Sequence, residues 1–324
     1  MTHTALLTYL RECAAVPNPV YVTGHPAPDT DAAVSSLFEA WRLTLAGTPA
    51  VPVLQGTLSR ETAFLLGDVT FPNVRPVGGK WVLTDHHDVA AYDGEVVGIV
   101  DHHPVAEGEN LAEIDACISL VGAATTLVAQ RIRDDGITPD AACAKMLLGA
   151  ILLDTEGLSP YKTKAEDLEM VAWLSALCGE DTAALYAVLK EELLSESDVT
   201  VLYDRDYRVY ADSDGIPVMG FAILKVGQGN LPDLTAVRRR LATDAQTYLV
   251  AVAKIVLYAP DDTREEIYLA AGSAADAVLT EVLVRSGGSA ARTAPDELVL
   301  PADCHHWGRK RYANHFVEIL SKKG

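Results

Sequence analysis

The chain has 324 residues, 49% of them apolar and 22% charged, enough material for sizeable cores in two domains and too apolar for a disordered chain. A formal net charge of −19 repels nucleic acid and anionic membranes at long range, so a polyanionic substrate would need cations held locally. Five scattered cysteines with no C-x-x-C pair speak against a disulfide framework or a zinc knuckle, and no charge-free apolar run reaches the length of about 18 residues that marks a membrane span.

MTHTALLTYLREC at the N-terminus reads as the first turns of an amphipathic helix, not a signal peptide, and the chain is therefore expected in the cytoplasm. VYVTGH (20–25) is a buried strand ending in a polar turn, and residues 29–47 form a helix opened by an Asp or Thr cap and closed by Gly47. AVPVLQG (50–56), KWVLTDHH (80–87) and EVVGIVDHH (95–103) are further strands, followed by helices at about 122–135, 138–153, 164–178 and 181–194. This alternation predicts an α/β domain with a parallel sheet and helices on both faces. SESDVT (195–200) is polar and turn-like. Beyond it come a hairpin over 206–226 around Asp-Ser-Asp-Gly, a helix at 233–242, strands at 247–258 and 266–272, and a helix at 274–286. That pattern predicts a smaller C-terminal α/β domain with a mixed sheet. The domains are placed at 1–192 and 196–324, with 286–297 expected to be a mobile surface loop.

Four polar tips in the first domain each follow an apolar element and carry Asp or His: GHPAPDTD (24–31), TDHHD (84–88), VDHHP (100–104) and LLDT (152–155). In an open parallel sheet the carboxyl ends of the strands share one edge, where ligands bind. His25, Asp29, Asp31, Asp85, His86, His87, Asp101, His102, His103 and Asp154 can therefore converge despite their separation in sequence. A single Asp such as Asp29 at a helix start is ordinarily an N-cap, and a single His-His pair is ordinarily a polar loop. Neither explanation covers four tips of the same residue types. Mixed carboxylate and imidazole donors suit Mn²⁺, Co²⁺ or Mg²⁺ and not a structural zinc site. Asp85, on a middle strand, is the natural bridge between two ions, which could hold a hydroxide and clamp a phosphoryl group.

HHWGRKRYANHF (305–316) places Arg309, Lys310 and Arg311 in a basic run within an acidic chain. A solvated charge run explains it as readily as phosphate binding by an arginine fork and a lysine point charge. Lys225 and Arg238–Arg240 are weaker candidates, and an amphipathic helix face explains the arginine triplet equally well.

At these residues the sequence resembles the DHH phosphoesterase superfamily, and within it the branch of family II (manganese-dependent) inorganic pyrophosphatases, exopolyphosphatases and prune-type proteins. The namesake triplet is Asp101-His102-His103, and GHPAPDTD resembles the pyrophosphatase opening motif with His25, Asp29 and Asp31 in register. LQGTLSRETAFLL (54–66), LVGAATTLV (120–128) and GAILLDT (149–155) are similar to later segments, so the likeness is strongest over 18–175. The resemblance implies a DHH catalytic domain followed by a DHHA2-like substrate-binding domain. It implies two divalent ions, Mn²⁺ first, one on His25, Asp29 and Asp85 and the other on Asp31, Asp85, His102 and Asp154. It further implies a metal-bridging water as nucleophile, Asp85, His103, Arg309 and Lys310 as the catalytic set, and His103, Arg309, Lys310 and Arg311 as phosphate-binding residues. Homodimers are common in the family. Three departures stand out. Asp85-His86-His87 replaces Asp-His-Asn, Gly308-Arg309-Lys310-Arg311 replaces Ser-Arg-Lys-Lys, and Lys190 is the nearest candidate for a lysine the family carries where its second domain begins.

The expected activity is hydrolysis of a small anionic substrate, inorganic pyrophosphate, to two phosphates. Exopolyphosphatase action on short or long polyphosphate is the alternative within the same chemistry. An oligonucleotide phosphodiesterase would want a G-G-G-H motif, whereas Ser286-Gly287-Gly288-Ser289 lacks the His, so no nucleic-acid or membrane partner is expected. A regulatory protein without turnover would have lost a metal ligand, and no ligand is missing.

Overall fold

The structure is a computed structural model that describes residues 1–105, 111–287, 290–302 and 309–321, with the side chains of 309 and 310 outside the description. The chain divides into two compact units, Met1–Glu192 and Leu193–Gly324. Among the described residues no helix is long and apolar enough to cross a membrane.

The first unit holds a five-stranded, all-parallel sheet of order β2-β1-β3-β4-β5. Its strands are β1 (Val20–Thr23), β2 (Ala50–Val53), β3 (Lys80–Thr84), β4 (Glu95–Asp101) and β5 (Asp115–Ile118). Its helices are α1 (His3–Glu12), α2 (Thr30–Leu45), α3 (Arg60–Leu66), α4 (Ala124–Asp134), α5 (Ala141–Asp154), α6 (Ala165–Cys178) and α7 (Thr182–Leu194). Asp29 caps α2 by accepting from Ala32 N–H at 3.0 Å, and Val34, Leu37, Phe38 and Trp41 recur at helical spacing to form its buried stripe. That stripe packs with Leu127 and Ile132 of α4 and with Leu147, Leu148 and Ile151 of α5, a helix buried along most of its length. Helical cover of the sheet is uneven. Val22 and Val82 meet α2 through Ala40. Among the described residues, the opposite face, with Trp81, Leu83 and Ile99, is covered by Val74, Tyr92, Leu111 and Ile114 from loops and by Val89 of a single 3-10 turn. β3 and β4 are joined by residues 85–94, which include the short 3-10 turn Val89–Ala91, and β4 and β5 by residues 102–114.

The second unit holds a six-stranded mixed sheet of order β10-β11-β9-β8-β7-β6. Its strands are β6 (Tyr207–Ala211), β7 (Pro217–Gly227), β8 (Val250–Tyr258), β9 (Arg264–Ala271), β10 (Ala291–Ala294) and β11 (Glu297–Leu300). Strands β7 and β8 run parallel and the other pairs are antiparallel. Alternation along β8 splits the core. Val250 and Val252 face α10 (Ala275–Arg285) and α11 (Arg309–Ser321), while Ala251, Ala253 and Ile255 face α8 (Val199–Arg205) and α9 (Leu234–Asp244).

Several segments differ from the sequence reading. The polar segment 195–200, read as a turn, runs into α8 (Val199–Arg205), which Asp198 caps and which buries Leu202 and Tyr203. The expected loop at 286–297 contains β10, which pairs antiparallel with β11; Gly288 and Ser289 lie outside the described residues. Strand β5 is too short and too exposed to carry a period-2 signal. Helix α11 hides behind its basic start, yet Tyr312, Ala313, Phe316 and Leu320 form a buried stripe.

Candidate metal centre

Strands β1, β3 and β4 are parallel and end at Thr23, Thr84 and Asp101, so the three tips that follow them meet at one sheet edge. Helix α5 ends at the fourth, Asp154. Local backbone shapes the tips. Gly24 lets the first tip pass α2, since a Cβ there would lie 2.6 Å from the Ala32 Cβ. Asp85 sits at φ 61°, in the left-handed region that Asp and Asn tolerate better than other residues with a Cβ.

The side chains converge around Asp85, which is 3% exposed. Its Oδ2 lies 3.4 Å from His25 Nε2, which is itself 3.9 Å from Asp29 Oδ2. Its Oδ1 lies 3.0 Å from His102 Nε2, and that nitrogen is 3.9 Å from Asp31 Oδ2 and 3.5 Å from Asp154 Oδ2. The two Asp85 oxygens thus face two separate donor groups. His25, Asp29 and Asp85 form one compact set and Asp31, His102 and Asp154 another, with donor atoms within 4.8 Å of one another in each. Asp29 therefore has both roles weighed from sequence, since Oδ1 caps α2 and Oδ2 turns toward the cluster.

The charges show what the cluster lacks. Burial pushes the His25 imidazole down, but Asp29 and Asp85 outweigh it and raise it to about 10. Burial likewise opposes His102, which Asp85 above all, then Asp31 and Asp154, lift to about 11. Burial raises Asp85, yet the His102 and His25 hydrogen bonds hold it well below the carboxylate range. Burial and the Asp85 charge push Asp29 up, and His25 more than compensates. Asp31, buried beside Asp85 and Asp154, is raised well above its ordinary value. Burial also raises Asp154, to about 6. Four carboxylates share too little positive charge, and the imidazoles bind protons in response. Divalent cations meet the same demand, and the donors are oxygen and imidazole nitrogen without a thiolate, the set that hard and borderline ions take. The residues fit such ions.

A surrounding layer orients these groups. Val121 O lies 3.2 Å from His102 Nδ1, which turns Nε2 toward the cluster. Asp31 accepts from the Ala124 and Thr125 N–H groups at the start of α4, at 2.6 and 2.8 Å. Asp167 braces that turn by accepting from Gly122 N–H and the Thr126 hydroxyl, at 2.8 and 2.6 Å. Asp101, fully buried, accepts from the His102 and His103 N–H groups, pairs with His103 Nδ1 at 2.9 Å, and makes a short hydrogen bond with His87. It is a clamp for two imidazoles and belongs to none of the compact donor sets. His103 is half-exposed, with Nδ1 3.8 Å from Asp85 Oδ1. His86 points away, to the Tyr92 hydroxyl and Thr84 O.

Sequence reading passed over Lys162, Asp167 and the clamping role of Asp101. Only Asp101 carried a signal, as the first residue of its triplet. Arg311 is exposed at the start of α11, and the side chains of Arg309 and Lys310 lie outside the described residues. Arg238 is tied to Asp296 and Glu297 at 2.8 and 2.5 Å, and Arg240 to Asp204 at 2.9 Å, as the surface-helix explanation requires. Lys190 lies over the Tyr186 ring, 5.9 Å from its centroid.

A parallel-sheet edge carrying a buried carboxylate between two oxygen–nitrogen donor sets defines a protein built to hold two divalent cations. Comparison with known proteins narrows the class. No family model matches the chain. It is 30% identical over 237 residues to a probable manganese-dependent inorganic pyrophosphatase of Streptococcus thermophilus, covering 69% of this chain and 74% of that one. A relative of the same name from Streptococcus pyogenes is 31% identical over 237 residues, covering 68% and 74%. One from Deinococcus radiodurans is 27% identical over 215 residues, covering 62% and 68%. A crystal structure from Methanococcus jannaschii assigned to family II inorganic pyrophosphatases shares the fold, with a TM-score of 0.68 at 20% identity over 93% of this chain and 99% of that one. The chain belongs to the manganese-dependent inorganic pyrophosphatase family.

Proposed function

We propose that the chain hydrolyses inorganic pyrophosphate, PPi + H₂O → 2 Pi, with two divalent metal ions held at the acidic–imidazole cluster. The observation that carries this reading is the Asp85 carboxylate, whose two oxygens face different donor sets. One ion falls to His25, Asp29 and Asp85, the other to Asp31, Asp85, His102 and Asp154. Mn²⁺ is the preferred ion, with Co²⁺ or Mg²⁺ suited to the same donors. When bound, such a pair supplies Lewis acidity and charge neutralisation for phosphoryl transfer to water. The chain's own residues do the rest. Asp85 holds the two positions together, His102 is aimed by Val121 O, and Asp101 fixes His103 at the exposed side of the cluster, where it contacts substrate phosphate. Arg309, Lys310 and Arg311 are assigned to phosphate binding as forked and point-charge donors. The first unit is thus the metal-binding catalytic domain and the second the substrate-binding domain. The same reading takes the protein as cytoplasmic and without a nucleic-acid partner, and the proteins it resembles are commonly homodimers.

Release of terminal phosphate from polyphosphate is the second reading. His87 favours it, since an additional imidazole on Asp101 stands where the resembled pyrophosphatases carry Asn. Phosphate release by purified protein with Mn²⁺ tests both, comparing pyrophosphate, tripolyphosphate, long-chain polyphosphate and a dinucleotide at equal concentration. Fast turnover of pyrophosphate alone supports the first reading. Preference for the longer chains replaces it with the second, and cleavage of the dinucleotide alone defeats both.

A further inference from the structure

We infer that Lys162 is a positioning residue for the metal centre, holding Asp154 so that one of its carboxylate oxygens is turned to the cluster. The inference rests on the metal-centre reading. Asp154 closes α5. Its Oδ2 lies 3.5 Å from His102 Nε2, while its other oxygen, Oδ1, lies 3.7 Å from Lys162 Nζ. The same ammonium donates to the Asp154 backbone carbonyl at 2.8 Å, an acceptor that the helix end leaves unpaired and that suits a cation. Glu156 Oε1, 3.7 Å from the same nitrogen, also pairs with Lys162.

The turn that delivers Lys162 is unusual. Glu156, Gly157 and Leu158 are all left-handed, at φ 52°, 68° and 64°. For Glu and Leu that conformation is costly and persists only where surrounding contacts impose it. Several contacts do so. Leu158 N–H donates to Thr155 Oγ1 at 3.2 Å, the Ser159 N–H and hydroxyl both donate to Thr155 O, and the Tyr161 hydroxyl makes a short hydrogen bond to Glu156. Gly157 packs so closely on Tyr186 that a Cβ would lie 2.5 Å from its ring. A strained turn kept in a single conformation returns Lys162 to the residue where the turn began.

Two roles for Lys162 predict opposite signs. A cation beside a metal site repels the incoming ion, so a bystander lysine would weaken binding and its loss would tighten it. A residue that holds a ligand in its binding rotamer does the reverse. Supporting residues of this kind change metal affinity by about 10–100-fold.

The test is calorimetric titration of the metal-stripped full chain with MnCl₂. Wild-type protein is expected to bind two Mn²⁺. A stoichiometry below two would sink the metal-centre reading itself, before any variant is compared. Given two ions, Lys162→Met should weaken one of them about tenfold and leave the other unchanged, and Lys162→Arg should restore most of the loss. Lys162→Gln, which drops the charge but can still donate, carries the same expectation as Lys162→Met if that variant folds poorly. Equal or tighter binding of both ions by the uncharged variants would overturn the inference.

Discussion

Each unit buries ionisable groups, but with different accounting of charge. In the second unit Lys254 and Glu266, 4% and 0% exposed, pair at 2.5 Å, and the Tyr268 hydroxyl donates to Glu266 at 2.8 Å. Burial lowers the Lys254 ammonium and Glu266 counters it. The two charges offset each other, and Arg264 lies 3.9 Å from the same Glu266 oxygen. At the edge of the first unit, Asp29, Asp31, Asp85 and Asp154 face, among the described residues, the imidazoles of His25, His102 and His103 and the outlying Lys162. A balanced buried pair is an element of architecture, whereas an unbalanced cluster whose oxygens converge is a place for a ligand.

Asp85→Asn should break the comparison hardest. Asn tolerates the left-handed backbone of residue 85, so the fold survives and only the bridging charge goes. Turnover should fall by about 10³-fold or more, and binding of at least one Mn²⁺ should be lost. Near-normal phosphate release from folded Asp85→Asn protein would show that the dimetal assignment is wrong. The opposite pattern is expected in the second unit. Lys254→Ala takes the ammonium from a buried carboxylate and should cost about 3–5 kcal/mol of that unit's stability in urea, with Mn²⁺ stoichiometry unchanged. The double variant Lys254→Met/Glu266→Gln should recover part of this, because Gln can still accept from Tyr268. A double variant no more stable than Lys254→Ala would mean the pair does more than balance itself.

The effect of pH sharpens the contrast more gently. His25 and His102 are raised to about 10 and about 11, so without metal both carry protons at neutral pH. Mn²⁺ must displace those protons, and affinity should rise with pH between 7 and 9. Calorimetric enthalpies should differ between buffers of high and low ionisation enthalpy, and identical enthalpies would contradict the proton count. The stability linkage has a definite sign. A raised imidazole contributes stability that is complete below its unfolded value near 6.5 and is lost as pH rises through about 10. Metal-free protein should therefore lose stability from about pH 6.5 upward, a trend that Mn²⁺ loading suppresses.

Much of this was legible in the residues themselves. Apolar runs bounded by Gly and Asp marked β1, β3 and β4, and the carboxylate and imidazole types at their ends marked the edge chemistry, because strand ends and helix caps are local properties. The hairpin of β6 and β7 was equally local. Helix α8 and strand β10 were missed where polar or glycine-rich composition concealed segments that tertiary contacts order. Side-chain direction needed the folded chain. Asp101 and Asp85 both follow apolar strands and look alike in sequence. One turns inward to clamp His87 and His103, and the other, left-handed, presents two oxygens to two donor sets. Lys162 and the Lys254–Glu266 pair left no pattern at all, since the partner of a charge is chosen by packing between elements far apart in the chain. The sequence by itself determined which residue types stand at the sheet edge. Only the tertiary structure decided which of them face one another, because direction and distance between side chains are set by non-local packing.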